Sequence, residues 1–125
     1  MNELVIFNKI KWLISYSDKY VFNSFTKVHI NLKIRYQDRL YSLLENCIRS
    51  NTNTGNIRIK YQKEMLIDIS LIDYYIGEAY DKKIIKKNRF SSVINSLNEI
   101  RKMTNSSGEP LSQGYLKTIH NQLSA

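Results

Sequence analysis

The sequence predicts an all-α fold: an antiparallel up-down-up-down four-helix bundle followed by a C-terminal tail. Three observations predict it. Of 125 residues, four are Gly and one is Pro, too few breakers for a many-turned β fold. Apolar residues recur at steps of three and four through four long stretches, which places them on one face of each helix. The connections between those stretches are short, and a short connection makes consecutive helices antiparallel neighbours. Nine Tyr and many Ile also suit strands, so periodicity rather than composition decides.

The first helix spans about residues 3–20. Leu4, Phe7, Ile10 and either Leu13 or Ile14 form its inner face, and Trp12, Tyr16 and Tyr20 widen it. Lys9, Lys11, Asp18 and Lys19 face water. Residues 21–25 break the pattern. Asn23 or Ser24 can accept a backbone N–H and cap the next helix. Val21, Phe22 and Phe25 are too apolar for a solvated loop, so they plug the end of the core.

The second helix spans about 26–50, with Leu32, Tyr36, Leu40, Leu43, Leu44 and Cys47 as its stripe and Ile48 at the flank. Residues 51–55 (NTNTG) are the clearest turn, offering local side-chain bonds and a glycine tolerant of positive φ. The third helix spans about 57–80 and lines up Tyr61, Met65, Ile69 (with Leu66), Ile72, Ile76 and Ala79. Gly77 reads as an early cap or a close-packing point. This helix starts basic (Arg58, Lys60, Lys63) and turns acidic (Glu64, Asp68, Asp73, Glu78). That order opposes the helix dipole, which leaves two readings: the charge has another use, or it is tolerated.

The fourth helix spans about 86–103, with Phe90, Val93, Ile94, Leu97, Ile100 and Met103 on one face. Residues 1–104 thus make the bundle. Residues 105–125 are breaker-rich and polar, and read as a tail, mobile or folded only on a partner.

A net charge of +8 and a pI near 9.6 point to a polyanionic partner: nucleic acid first, an anionic membrane or acidic protein second. The alternative is a Lys-rich composition that serves only solubility. Cys47 is the only cysteine. With His29 and His120 it makes no zinc signature, and on an apolar face it reads as a buried structural thiol. No secretory signal opens the chain, and no apolar run approaches the roughly 20 residues that cross a bilayer. The expectation is a cytoplasmic protein with no membrane contact.

The chain has no Gly-rich phosphate loop, nucleophile elbow, HExxH or CxxC motif. The acid pairs Glu64/Asp68 and Asp73/Glu78 flank the apolar stripe without a Glu-x-x-His, which reads as a solvated face rather than a metal site. The expectation is a non-enzyme without metal or cofactor.

The remaining signal is basic. Lys82, Lys83, Lys86, Lys87 and Arg89 surround the pair Ile84-Ile85. At the free start of the fourth helix, backbone N–H groups and lysines would face the same phosphates. Lys33, Arg35 and Arg39 extend the patch along the second helix. The set suits phosphate contact rather than base reading; the competing reading is a solvated connection. Tyr16, Tyr20, Tyr41, Tyr74, Tyr75 and Tyr80 exceed what four narrow stripes can hide, which points to self-association.

One ordered set of residues goes further. It runs from Glu3-Leu4-Val5-Ile6-Phe7-Asn8-Lys9 through Trp12-Leu13 and Lys19-Tyr20-Val21-Phe22. It continues with spaced basic residues before Leu43-Leu44-Glu45, an Ile/Leu-rich third helix and a Lys/Ile connection. It closes on Asn98-Glu99-Ile100-Arg101-Lys102-Met103. Over residues 3–104 this resembles the accessory variability determinant (Avd) proteins of diversity-generating retroelements. More distantly it resembles four-helix proteins encoded in intervening sequences of 23S ribosomal RNA genes. The chain departs from the family at Phe22-Asn23-Ser24, where members often carry Phe-Pro-Lys. It departs again after Met103, where members often close with Gly-Gly-Trp. The resemblance implies a small basic bundle, a barrel-shaped homopentamer, and no catalytic site. It also implies binding to a reverse transcriptase and its template RNA in support of mutagenic cDNA synthesis. The alternative is an interaction module that docks on an acidic protein without touching nucleic acid.

Overall fold

The computed structural model describes residues 3–106. Four α-helices carry the fold: α1 (Glu3–Tyr20), α2 (Ile30–Asn51), α3 (Gly55–Asp81) and α4 (Lys87–Ser106). The described residues contain no strand. Cross-links give the directions. Ser17 meets Tyr36, Arg39 meets Asp68, Asp73 meets Arg101, and Lys9 meets Glu99. The end of α1 meets the start of α2 at Ser17 and Tyr36, the end of α2 meets the start of α3 at Ser50 and Arg58, and the ends of α3 and α1 meet the start of α4 at Tyr80 with Phe90 and Tyr20 with Arg89, so the helices run up, down, up and down. The bundle predicted from periodicity is therefore the bundle observed. α4 extends to Ser106, past the predicted end of the bundle; the predicted tail otherwise lies outside the described residues.

The core follows the predicted stripes on α2, α3 and α4: Tyr36, Leu40, Leu43, Met65, Ile69, Ile72, Ile76, Val93, Leu97 and Ile100 are buried. Val21 and Phe22 close its end, with Phe22 edge-on to Tyr36 at 5.9 Å. The predicted cap at Asn23 or Ser24 does not form. The Ser24 hydroxyl bonds back to the Tyr20 carbonyl, and a 3-10 turn, Lys27–His29, delays α2 to Ile30.

α1 is rotated from its predicted register. Its buried line is Ile6, Ile10, Leu13 and Ser17, while Leu4 is 60% and Trp12 50% exposed. The reason is Ser17. It occupies a core position because its hydroxyl pairs with the buried Tyr36 hydroxyl at 2.7 Å, and a serine does not read as core. Burial pushes the Tyr36 hydroxyl well above the usual phenol range, although the Ser17 bond opposes this. Ile48, expected at the flank, is also exposed.

α3 runs straight through Gly77. A methyl group there would meet nothing within 4 Å, so Gly77 is neither a cap nor a close-packing point. Gly55 does use its freedom: it opens α3 at φ +61. The inverted charge of α3 has internal uses. Arg58 is buried, with Nη1 2.6 Å from Glu3 Oε1 and 3.3 Å from the Ser50 carbonyl oxygen. It thereby ties α1, α2 and α3 together at one end of the bundle. Asp68, expected on a solvated face, is buried. It accepts from Arg39 Nη1 at 3.1 Å, Ser42 Oγ at 3.0 Å and Asn46 Nδ2 at 2.9 Å. Burial still raises its carboxyl above the usual carboxylate value, with the donors pulling the other way.

Candidate nucleic-acid interface

The site is built on the connection from α3 to α4. α3 ends in a left-handed cap. The Ile84 N–H reaches the Ala79 carbonyl and the Lys83 N–H reaches the Tyr80 carbonyl, each at 2.9 Å, with Lys83 at φ 62. A lysine therefore stands where glycine is the usual residue. Ile85 is buried and Ile84 packs against the core, so the apolar pair pins the loop. The Lys86 carbonyl then accepts from the Arg89 and Phe90 N–H groups at 3.1 Å and opens α4. The result is a rigid turn that holds four cations outward. Lys82, Lys83, Lys86 and Lys87 are all exposed, and among the described residues none of them forms an ion pair.

Lys83, Lys86 and Lys87 line a crevice of about 530 Å³ with Tyr80, Asp81 and Ile85. Tyr80 stacks on Phe90, ring centroids 4.6 Å apart and planes 12° apart. Asp81 is the one acid in this lining and Glu78 lies a turn before it. The lysines outnumber them, so the crevice keeps a positive potential. Arg89 does not point away with the lysines; its guanidinium lies 4.1 Å over the Tyr20 ring.

The antiparallel topology brings the first turns of α2 to the same end as this connection. Arg35 is exposed and Lys33 half-buried. Lys19 and Lys27, which sequence reasoning left out, lie at this end too. Arg39 stands apart from the proposed set: it is bound to Asp68, so its charge is already matched. Nothing in helical spacing alone could separate Arg39 from Arg35. The signal lay in Asp68, Ser42 and Asn46, three polar residues whose faces meet only in the folded bundle.

Cys47 is buried, and burial pushes its thiol up to about 11 although the Asn51 amide opposes this. That is an inert packing group, as its place on the stripe predicted. Among the described residues no three His, Cys, Asp or Glu side chains gather at one point, and no helix is long and apolar enough to cross a membrane. Comparison with family models, curated proteins and solved structures finds no match to this chain.

Proposed function

We propose that this protein is a non-catalytic, basic accessory subunit that binds nucleic acid through phosphate contacts at the α3–α4 connection. The observation that carries this reading is the pinned turn that presents Lys82, Lys83, Lys86 and Lys87 to solvent without acidic partners. A pinned backbone leaves less chain entropy to lose on docking than a floppy lysine run does. Phosphate neutralisation releases counterions, so affinity should fall steeply with salt.

The resemblance to accessory variability determinants supplies the finer part of the proposal. The nucleic acid is the template RNA of a diversity-generating retroelement, the protein partner is its reverse transcriptase, and the site of action is the cytoplasm. Self-association belongs to the same proposal. Ile34, Tyr41 and Ile48 lie seven residues apart on α2 and are 45%, 48% and 44% exposed, a row that a second copy could cover. Light scattering that returns the mass of a single chain would remove this part.

The test of the binding surface is a salt titration of RNA affinity for wild type and for Lys82→Glu with Lys86→Glu. Each lost phosphate contact should lower the slope of log K against log salt by about 0.7–0.9. Unchanged affinity and slope in a folded double variant would reject the site. A chain that binds an acidic polymerase surface but no RNA would favour the interaction-module reading instead.

A further inference from the structure

α1 carries a second feature on the side that faces α4. Trp12, Tyr16 and Tyr20 follow at steps of four, the spacing that places side chains in line along a helix. The Trp12 and Tyr16 centroids are 5.0 Å apart with planes at 25°, and those of Tyr16 and Tyr20 are 5.0 Å apart at 52°. Arg89 then covers Tyr20 at 4.1 Å. The ladder spans about 12 Å by helix rise. It ends at Arg89 in the first turn of α4, two and three positions along the chain from Lys87 and Lys86.

At the far end of the ladder, Trp12 is half exposed. Tyr16 covers one side of the indole, and the remainder forms a wall of a cleft of about 410 Å³. Ser92, Asn95 and Ser96 of α4 and the Lys9–Glu99 pair complete that cleft. Lys9 Nζ lies 2.6 Å from Glu99 Oε2, so the acid is neutralised. An open indole with hydroxyl and amide groups opposite it thus lies at one end of the ring ladder, and Arg89 lies at the other.

We propose that this ladder binds a single-stranded segment of nucleic acid, with a base stacked on Trp12 and the phosphates running past Arg89 onto Lys86 and Lys87. The inference rests on the phosphate-binding reading above and adds what that reading lacks: a reason to select single strands. A duplex hides its base faces, whereas an unpaired base offers a π-face to an aromatic ring. Ser92 and Asn95 can meet a base edge, but stacking tolerates any base, so little sequence preference follows.

Trp12 is the only tryptophan, so intrinsic fluorescence reads the ladder directly. The test titrates the full chain with a short single-stranded oligoadenylate and with an RNA duplex of the same length. The single strand should quench Trp12 and the duplex should not. Trp12→Leu should weaken single-strand binding about tenfold, the worth of one base stack, and leave duplex binding unchanged. Lys82→Glu with Lys86→Glu should weaken both. Single-strand binding that neither quenches Trp12 nor responds to Trp12→Leu overturns the ladder and leaves the phosphate surface standing. Failure of both probes to bind at low salt overturns the phosphate reading, and the ladder with it. Trp12 is exposed, so Trp12→Leu should keep the helical circular dichroism of wild type.

Discussion

Asp68 is the position where a sequence reading and the fold disagree most, and removing its carboxylate tests the difference. The side chain is 1% exposed and is held by donors from Arg39, Ser42 and Asn46. In Asp68→Ala the buried Asn46 amide loses its shorter acceptor bond, at 2.9 Å, and keeps only the longer one to Ser42 Oγ, at a cost of about 1–3 kcal/mol. Arg39 is 42% exposed and returns to water at little cost. Ser42 keeps a contact with Asn46 at 3.4 Å. The net loss should be about 2 kcal/mol, or a Tm drop of roughly 10 °C for a domain of this size.

Arg39→Ala removes only the half-exposed partner and should cost under about 1 kcal/mol. Urea unfolding at neutral pH, followed by circular dichroism, measures both. pH adds a signature. The folded carboxyl sits above its unfolded value because it is buried. A raised folded value means the folded chain holds the proton more tightly. The stabilisation is complete below the unfolded value and is lost as pH rises through the folded one. The gap between wild type and Asp68→Asn, which cannot titrate, should therefore narrow as pH rises. An Asp68→Ala variant as stable as wild type, or an Arg39→Ala variant less stable than Asp68→Ala, would refute the buried-node account.

Further outcomes follow from single residues. Lys83 sits in the left-handed region, so Lys83→Gly should stabilise the fold by about 1 kcal/mol while lowering RNA affinity, measured by urea unfolding and a binding isotherm on the same sample. Gly77→Ala meets open space in mid-helix and should add about 0.5–1 kcal/mol; Gly55→Ala, at φ +61, should lose about 1–2 kcal/mol. Arg58→Ala should cost about 3 kcal/mol, because Glu3 loses its partner and three helices lose a common tie; thermal melts read this. Cys47, with its thiol raised to about 11, should resist a thiol-specific reagent in the native protein and react at once in denaturant.

The lysine turn and the aromatic ladder differ in how far they could be read in advance. Lys82, Lys83, Lys86, Lys87 and Arg89 are neighbours in the chain, so their clustering needs no fold to be visible. The ladder needs one. Trp12, Tyr16 and Tyr20 looked like a widened inner face, because spacing reports a line on a helix and not which way that line is turned. The turn was set by a serine, through a hydroxyl contact with a tyrosine nineteen positions along the chain.

Helical periodicity, few breakers and a short Asn/Thr/Gly turn determined by themselves that this chain makes four antiparallel helices, because those preferences act within a few residues of backbone. Local charge density likewise marked the basic connection. Only the tertiary structure decided which polar residues are structural and which are available. Asp68, Arg58 and Ser17 went inside because groups on other helices bind them there. Lys82 to Lys87 stayed out because Ile84 and Ile85 took the inner side of the same turn. Burial of a polar group depends on who stands opposite, and that is a property of packing, not of sequence order.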